Sequence, residues 1–345
     1  MVSIALLGAG IFAREQHLPA IEAVGHLNLK AVYSRSEQTA ISLAKQARDR
    51  VDIYFDSPPI NGRSLDDLLA RSDIAAVSAC ATILVQPQLI RKALGAGKHV
   101  LSEKPIAQDA ETAMDLVKWY NSQSNPPIWA VAENFRFNES LKYAEMKTRG
   151  MGGELVSFRL SYYGLIKKEN KYFKTKWREA PEFQGGFLLD SGIHFIASLR
   201  LLLSAVGQEV KEVMALSSLL EEHLHPVDTI HAVVSTTDSR HGTVCISFGV
   251  EHKSTLEIEI ISTRGVVVWT PVSVKSVSGE SMNETKQFIY NNGVKAEFEA
   301  FGQAILQKCP DPRQSPVEAL NDLALLQSLL DSAACNGLMK LAKFD

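Results

Sequence analysis

The sequence predicts an α/β protein in two parts. A doubly wound parallel sheet comes first, followed by an α+β domain on a large, mostly antiparallel open sheet. Three observations carry this. A glycine-rich turn, Gly8–Ala9–Gly10–Ile11–Phe12–Ala13, follows a short β run and opens a helix. Strand and helix patterns then alternate up to residue 132, as in successive βαβ units. In the second half several apolar patterns alternate by two, with turns between them, as in an antiparallel sheet with one covered face.

The 345 residues exceed one ordinary core, and the division is placed at 1–132 and 133–345. Hydrophobic residues are 46%, charged residues 22% and the net charge is −3, which gives no reason to expect nucleic acid or an anionic membrane as partner. Cys80, Cys245, Cys309 and Cys335 stand far apart without a CxxC pair, so neither a disulfide framework nor a zinc motif is expected, and the cytoplasm suits them. The apolar start lacks a basic flank and is broken by Gly8 and Gly10, so it reads as a strand and not a signal peptide. No run of apolar residues long enough to span a bilayer is read.

In order, Ser3–Leu7 is the first strand, Ala13 to about Val24 a helix, and Asn28–Tyr33 the second strand. Gly8 suits the tight turn, Gly10 lets backbone approach a pyrophosphate, and Ala13 allows close helix–strand packing. The helix start, with Ile11 and Phe12, then faces the phosphates. This is the Rossmann arrangement for a dinucleotide. The second strand ends Tyr33–Ser34–Arg35–Ser36, with no carboxylate before Glu37. Arg35 and the hydroxyl of Ser34 suit a 2′-phosphate, because guanidinium–phosphate pairs are bidentate and charge-assisted. NADP(H) is therefore expected over NAD(H).

Further strands are read at Ile53–Phe55, Ile74–Cys80 and His99–Leu101, with helices at Ser64–Arg71, Gln86–Gly95 and Asp109–Ser122. The run Gly97–Ala107 (GKHVLSEKPIA) ends its strand at Glu103–Lys104, because Pro105 removes a backbone donor and pushes Lys104 toward an extended conformation. A lysine at the carboxyl end of such a strand is an acid, an anion contact, or both. Ile128–Ala132 is the last strand of the first part, and the pattern changes at Glu133–Phe137.

In the second part, Leu155–Tyr163, Thr229–Thr237, Thr243–Val250, Thr255–Ile261, Val266–Val274 and Lys286–Tyr290 read as strands. The open face of their sheet suits a second copy, so a homodimer or higher homo-oligomer is expected. A helix carries Asp190 and His194, four residues apart and on one face. A carboxylate beside an imidazole exchanges a proton with an alcohol or carbonyl; the alternative is a dipole-stabilised Asp beside a satisfied core His. His223 and His225 lack a third ligand, so no metal is read there. His17 lies in the first helix, exposed or near a phosphate.

Together these residues resemble the Gfo/Idh/MocA oxidoreductase family, along nearly the whole chain. GAGIFA looks like its nucleotide turn, GKHVLSEKPIA like its most specific motif, Glu133–Phe137 like its domain junction, and GGFLLDSGIH like its catalytic helix. The run Asn170–His194 looks most like the NADP-linked branch found in fungi. The resemblance implies Lys104 as catalytic lysine near nicotinamide and substrate, Asp190 positioning substrate, and His194 as proton donor or acceptor. It implies that Glu103 touches the ribose or nicotinamide end and that Arg178 lies near the nicotinamide or the substrate's entrance. Ala81 and Thr82 would give backbone contacts to the cofactor, and Asn134 is a cofactor contact at the junction. The family's T-P-N-x-x-H is replaced by Ala81–Thr82–Ile83–Leu84–Val85–Gln86. This turns the reading away from the familiar sugar contacts and toward an apolar or non-sugar substrate.

The expected activity is reversible hydride transfer between nicotinamide and a carbonyl or alcohol carbon of a small sugar-like or other carbonyl substrate. His194 would pass the proton, and Lys104 would lower the developing negative charge on oxygen. Two alternatives stay open: a dinucleotide-binding sensor or repressor without turnover, and redox-neutral lyase or glycosidase chemistry.

Overall fold

The computed structural model describes residues 1–278 and 282–342. In chain order the first stretch is β1 (Val2–Leu7), a π-helical turn (Ala13–His17) running into α1 (Leu18–Ala23), β2 (Leu27–Ser36), α2 (Glu37–Ala44), β3 (Asp52–Ser57), α3 (Leu65–Leu69), β4 (Ala76–Ala79), α4 (Gln86–Gly95), β5 (His99–Glu103), α5 (Ala110–Asn121) and β6 (Trp129–Ala132). These strands form a six-stranded sheet in the order β3-β2-β1-β4-β5-β6, every pair parallel. Its central strands read as continuous apolar runs, AVSA and SIALL, because both faces are covered. Winding reverses between β1 and β4, and in such sheets ligands bind outside the carboxyl ends of the strands at that point. Local chemistry sets the helix starts. Ser64 and Asp67 form a reciprocal capping box on α3, and Asp109 accepts from the Thr112 amide at 2.7 Å to start α5.

The second stretch is α6 (Glu139–Met151), β7 (Leu155–Tyr163), α7 (Lys176–Glu179), α8 (Gly186–Ala205), β8 (Val210–Ser218), β9 (Thr229–Thr236), β10 (His241–Ser247), β11 (Thr255–Ser262), β12 (Gly265–Thr270), β13 (Ser273–Ser278) and β14 (Met282–Gln287). The chain closes with α9 (Val294–Gln307), α10 (Pro316–Ala334) and β15 (Lys340–Leu341). The second sheet runs β14-β13-β12-β11-β7-β10-β9-β8-β15 and is antiparallel except where β10 lies parallel to β7. Alternation sorts its faces: Phe158 and Leu160 of β7 and Val213 and Ala215 of β8 are buried, while Val156, Met214 and Leu216 are exposed. Helix α8 packs against β7, β10 and β11. It has the length and apolar composition of a membrane span, but 78% of it is buried inside the fold, as a core helix is.

Several elements differ from the sequence reading. Val266–Val274 is two strands, because a turn at Thr270–Ser273 intervenes, with the Ser273 amide donating to Thr270 Oγ1 at 3.0 Å. The last strand of that run covers Met282–Gln287 and ends before Phe288. Helices α6 and α9 and strand β8 were not read at all.

The chain packs as two compact units, Met1–Asn134 with Val294–Leu320, and Phe135–Gly293 with Asn321–Asp345. The sequence reading assigned everything after residue 132 to the second part. In the structure Val294, Phe298, Phe301 and Ala304 of α9 join the core formed by Val2, Ile4, Leu6 and Ile21. Their spacing is that of one helical face, which needs apolar cover.

Candidate active site

In the first unit the carboxyl edge of the sheet gathers most of the residues singled out above. Gly8 has φ +112°, and a Cβ there would stand 2.1 Å from the Cys80 carbonyl oxygen, so only glycine fits. A Cβ on Gly10 would meet nothing within 4 Å, so no intrachain contact requires glycine there. That open space is what the approach of a pyrophosphate needs, and the turn fits a dinucleotide. Ala13 is fully buried, while Ile11 and Phe12 are half-buried in the turn.

At the end of β2, the hydroxyls of Ser34 and Ser36 both meet Thr39 Oγ1, at 2.7 and 2.8 Å. Arg35 is exposed and forms no ion pair among the described residues. The neighbouring carboxylate, Asp56, accepts from the Tyr33 hydroxyl at 2.5 Å and the Leu65 amide at 3.1 Å. Burial and that carboxylate push the Tyr33 phenol well above its usual range.

At the end of β4, the Thr82 carbonyl accepts from the amides of Val85 and Gln86, closing the turn that starts at Ala81. Ile83 is buried, whereas Leu84 and Val85 are exposed. Gln86 is fully buried, and its side-chain amide donates to the carbonyls of Glu103 and Pro105 at 2.5 and 2.6 Å. The peptide before Lys104 and the one after Pro105 are held this way, and the Lys104–Pro105 bond is cis.

Glu103, at the end of β5, is 2.7 Å from His17 Nε2 and also accepts from the Lys104 amide at 3.2 Å. His17 is fully buried and so not exposed, and its Nδ1 meets Ser78 Oγ at 2.9 Å. Asn134 is buried in the same unit. Glu297 of α9 is fully buried, and neither carboxyl oxygen has a hydrogen-bond partner among the described residues. Burial first, then the charges of Glu103 and Glu133, raise its pKa well above the usual carboxylate value.

In the second unit, Gly185 has φ +80°, and a Cβ there would lie 2.6 Å from Leu330 Cδ1, so glycine is required where α8 begins. Asp190 sits one turn into α8 and is buried; Arg178 Nε donates to its Oδ2 at 2.8 Å. The Arg178 guanidinium lies 3.9 Å above the Trp177 ring. His194 follows one turn later, half-buried, and its ring stacks on Phe135 at 4.6 Å with an interplanar angle of 13°.

Sequence reasoning missed His17, Gln86, Glu297 and Phe135 as parts of these arrangements. Only Gln86 carried a signal, as a replaced histidine.

Comparison with known proteins decides the family. Residues 2–129 match the oxidoreductase family's NAD-binding Rossmann fold, and residues 146–341 match its C-terminal alpha/beta domain. The chain belongs to the Gfo/Idh/MocA oxidoreductase family. It is 86% identical, over the full length of both chains, to the dehydrogenase FPY6 of Fusarium mangiferae. It is 27% identical, over 96% of each chain, to the dTDP-3,4-didehydro-2,6-dideoxy-alpha-D-glucose 3-reductase of Actinomadura kijaniata. Among solved structures, the oxidoreductase TM0312 of Thermotoga maritima superposes with a TM-score of 0.85 at 29% identity, covering 99% of this chain and 98% of that one. As a Gfo/Idh/MocA member the protein is a nicotinamide-dinucleotide-dependent oxidoreductase acting on alcohol or carbonyl groups.

Proposed function

We propose that this protein is an NADP(H)-dependent reductase or dehydrogenase acting on a carbonyl or alcohol carbon of a small, sugar-like ring that is poor in hydroxyls. The observation that carries the cofactor choice is the end of β2, where Arg35 is exposed without an ion-pair partner among the described residues, beside two serine hydroxyls. The nearby carboxylate that would suit a free ribose, Asp56, is committed to Tyr33 and Leu65. For the substrate, the Ala81–Gln86 turn offers exposed Leu84 and Val85, while Gln86 is spent on backbone carbonyls. A dideoxy-sugar reductase among the relatives agrees with a ring of that kind.

Bound nicotinamide supplies or accepts the hydride. Gly8, Gly10, Ile11 and Phe12 would hold the pyrophosphate, with Ser34 and Arg35 at the 2′-phosphate and Ala81, Thr82, Glu103, Asn134 and Arg178 as further contacts. The Lys104 ammonium would neutralise negative charge growing on the substrate oxygen. His194 would pass the proton to or from that oxygen, its ring plane set by Phe135. Asp190, fixed by Arg178, would accept a substrate hydroxyl. General acid–base help of this kind is worth ~10²–10⁴ in rate.

The exposed apolar residues Val156, Met214, Leu216 and Val233 on the second sheet support a homo-oligomer formed through that face. Four free cysteines suit the cytoplasm.

The test is Lys104→Met and His194→Ala, assayed with NADPH against a panel of keto-hexoses, deoxy-hexoses and simple carbonyls. Each variant is expected to lose turnover while still quenching on NADPH titration as the parent does. Near-normal turnover in Lys104→Met would end this assignment. Saturable NADPH binding by the parent without turnover on any panel member would favour a sensor. Turnover without net NADPH change would favour redox-neutral chemistry.

A further inference from the structure

We propose that His17, Cys80 and Glu103 form a metal site for a borderline divalent transition ion, with Zn²⁺ the preferred occupant. Their ligand atoms, one ring nitrogen, one sulfur and one carboxylate oxygen, all lie within 4.8 Å of one another. Zinc bonds of ~2.0–2.3 Å place tetrahedral ligands roughly 3.3–3.8 Å apart, so shifts on the order of 1 Å complete the set. A nitrogen, a thiolate and a carboxylate are the ligand types that zinc accepts.

The donors come from three elements, and each is independently held. Cys80 leaves β4 with its amide bonded to the Leu7 carbonyl at 2.8 Å and its own carbonyl packed on Gly8. Glu103 ends β5, where Gln86 holds its carbonyl. His17 is oriented by Ser78, whose Oγ meets Nδ1 and leaves Nε2 aimed at Glu103. A partner on the second ring nitrogen is the usual companion of a metal-bound histidine. Cys80 is half-buried and in no disulfide, so the cluster is not sealed from solvent.

The ion takes the place of the hydrogen between His17 Nε2 and Glu103. His17 then keeps one proton, on Nδ1, donated to Ser78 Oγ. Cys80 binds as thiolate and gives its proton to solvent, Glu103 binds as carboxylate, and a water completes the tetrahedron. No oxidation state changes, and affinity rises with pH because a thiol proton is released.

The experiment uses the reduced, chelator-treated, dinucleotide-free protein, titrated with Co²⁺ and then with Zn²⁺. One equivalent of Co²⁺ is expected to produce a thiolate-to-cobalt charge-transfer band with tetrahedral d–d bands, and Zn²⁺ is expected to bleach both. Cys80→Ser should abolish the charge-transfer band and weaken Zn²⁺ binding at least ~10-fold at an unchanged melting temperature. Ser78→Ala should keep the band but weaken Zn²⁺ binding ~10-fold. Absence of the band in excess Co²⁺, or a band that survives in Cys80→Ser, overturns the site.

Discussion

The side-chain amide of Gln86 donates one hydrogen to the Glu103 carbonyl and the other to the Pro105 carbonyl, so one buried residue fixes the backbone on both sides of Lys104. Gln86→Ala leaves both carbonyls without this donor. An unsatisfied buried acceptor costs ~1–3 kcal/mol, so a loss of about 2–4 kcal/mol is expected in urea denaturation. Turnover should fall at least ~10-fold, because small misplacements of a reacting group are expensive. Unchanged stability would show that the two bonds contribute nothing.

The two glycines of the first turn should behave differently. Gly8→Ala places a methyl against the Cys80 carbonyl at a positive φ, and the variant is expected to be destabilised by at least ~3 kcal/mol or not to accumulate folded. Gly10→Ala meets no atom of the chain, so its melting temperature should stay near that of the parent. NADPH binding, followed by fluorescence quenching, should weaken at least ~10-fold. Equal affinity in Gly10→Ala would mean that no phosphate approaches there.

Arg35→Ser tests the choice of dinucleotide. A charge-assisted hydrogen-bonded pair is worth ~1.5–3 kcal/mol, which is about 10–150-fold in affinity. The NADPH dissociation constant should rise by that factor, while the NADH value stays within about twofold. A parallel loss for both dinucleotides would remove Arg35 from the 2′-phosphate.

Much of this arrangement was legible in the sequence, for reasons that can be named. The Gly8–Ala13 turn and the Glu103–Lys104–Pro105 stop are local signals, each set by neighbouring residues. Strand β7 matched from end to end because apolar residues alternate from Phe158 to Tyr162 and its two edges pair with β10 and β11. The misses are long-range. Nothing near Glu297 says that it will be buried within the charge fields of Glu103 and Glu133, and nothing near His17 names Glu103, 86 positions away, as its partner. Helix α6 was lost in its charged surface, ESLKYAEMKTRGM, although Leu141, Ala144, Thr148 and Met151 follow a helical spacing and are buried. Arg178 was named as a cofactor contact on resemblance; its ion pair with Asp190 could not be read without coordinates.

Glu297 gives the pH dependence its sign. Its carboxyl is fully buried, its oxygens lack partners among the described residues, and its pKa stands well above the usual ~4.3. In the unfolded chain it titrates at that usual value. At pH values between the two, the folded state holds a proton that the unfolded state has released. Stability is therefore greatest below the unfolded value and falls as pH rises toward the folded one, by at most ~1.4 kcal/mol per pH unit. Glu297→Gln has the same shape and no proton to lose. It should be more stable than the parent at neutral pH, with the difference shrinking as pH drops toward ~4. Urea denaturation from about pH 5 to about pH 8 measures the two slopes, and parallel slopes would show that Glu297 is ionised in the fold.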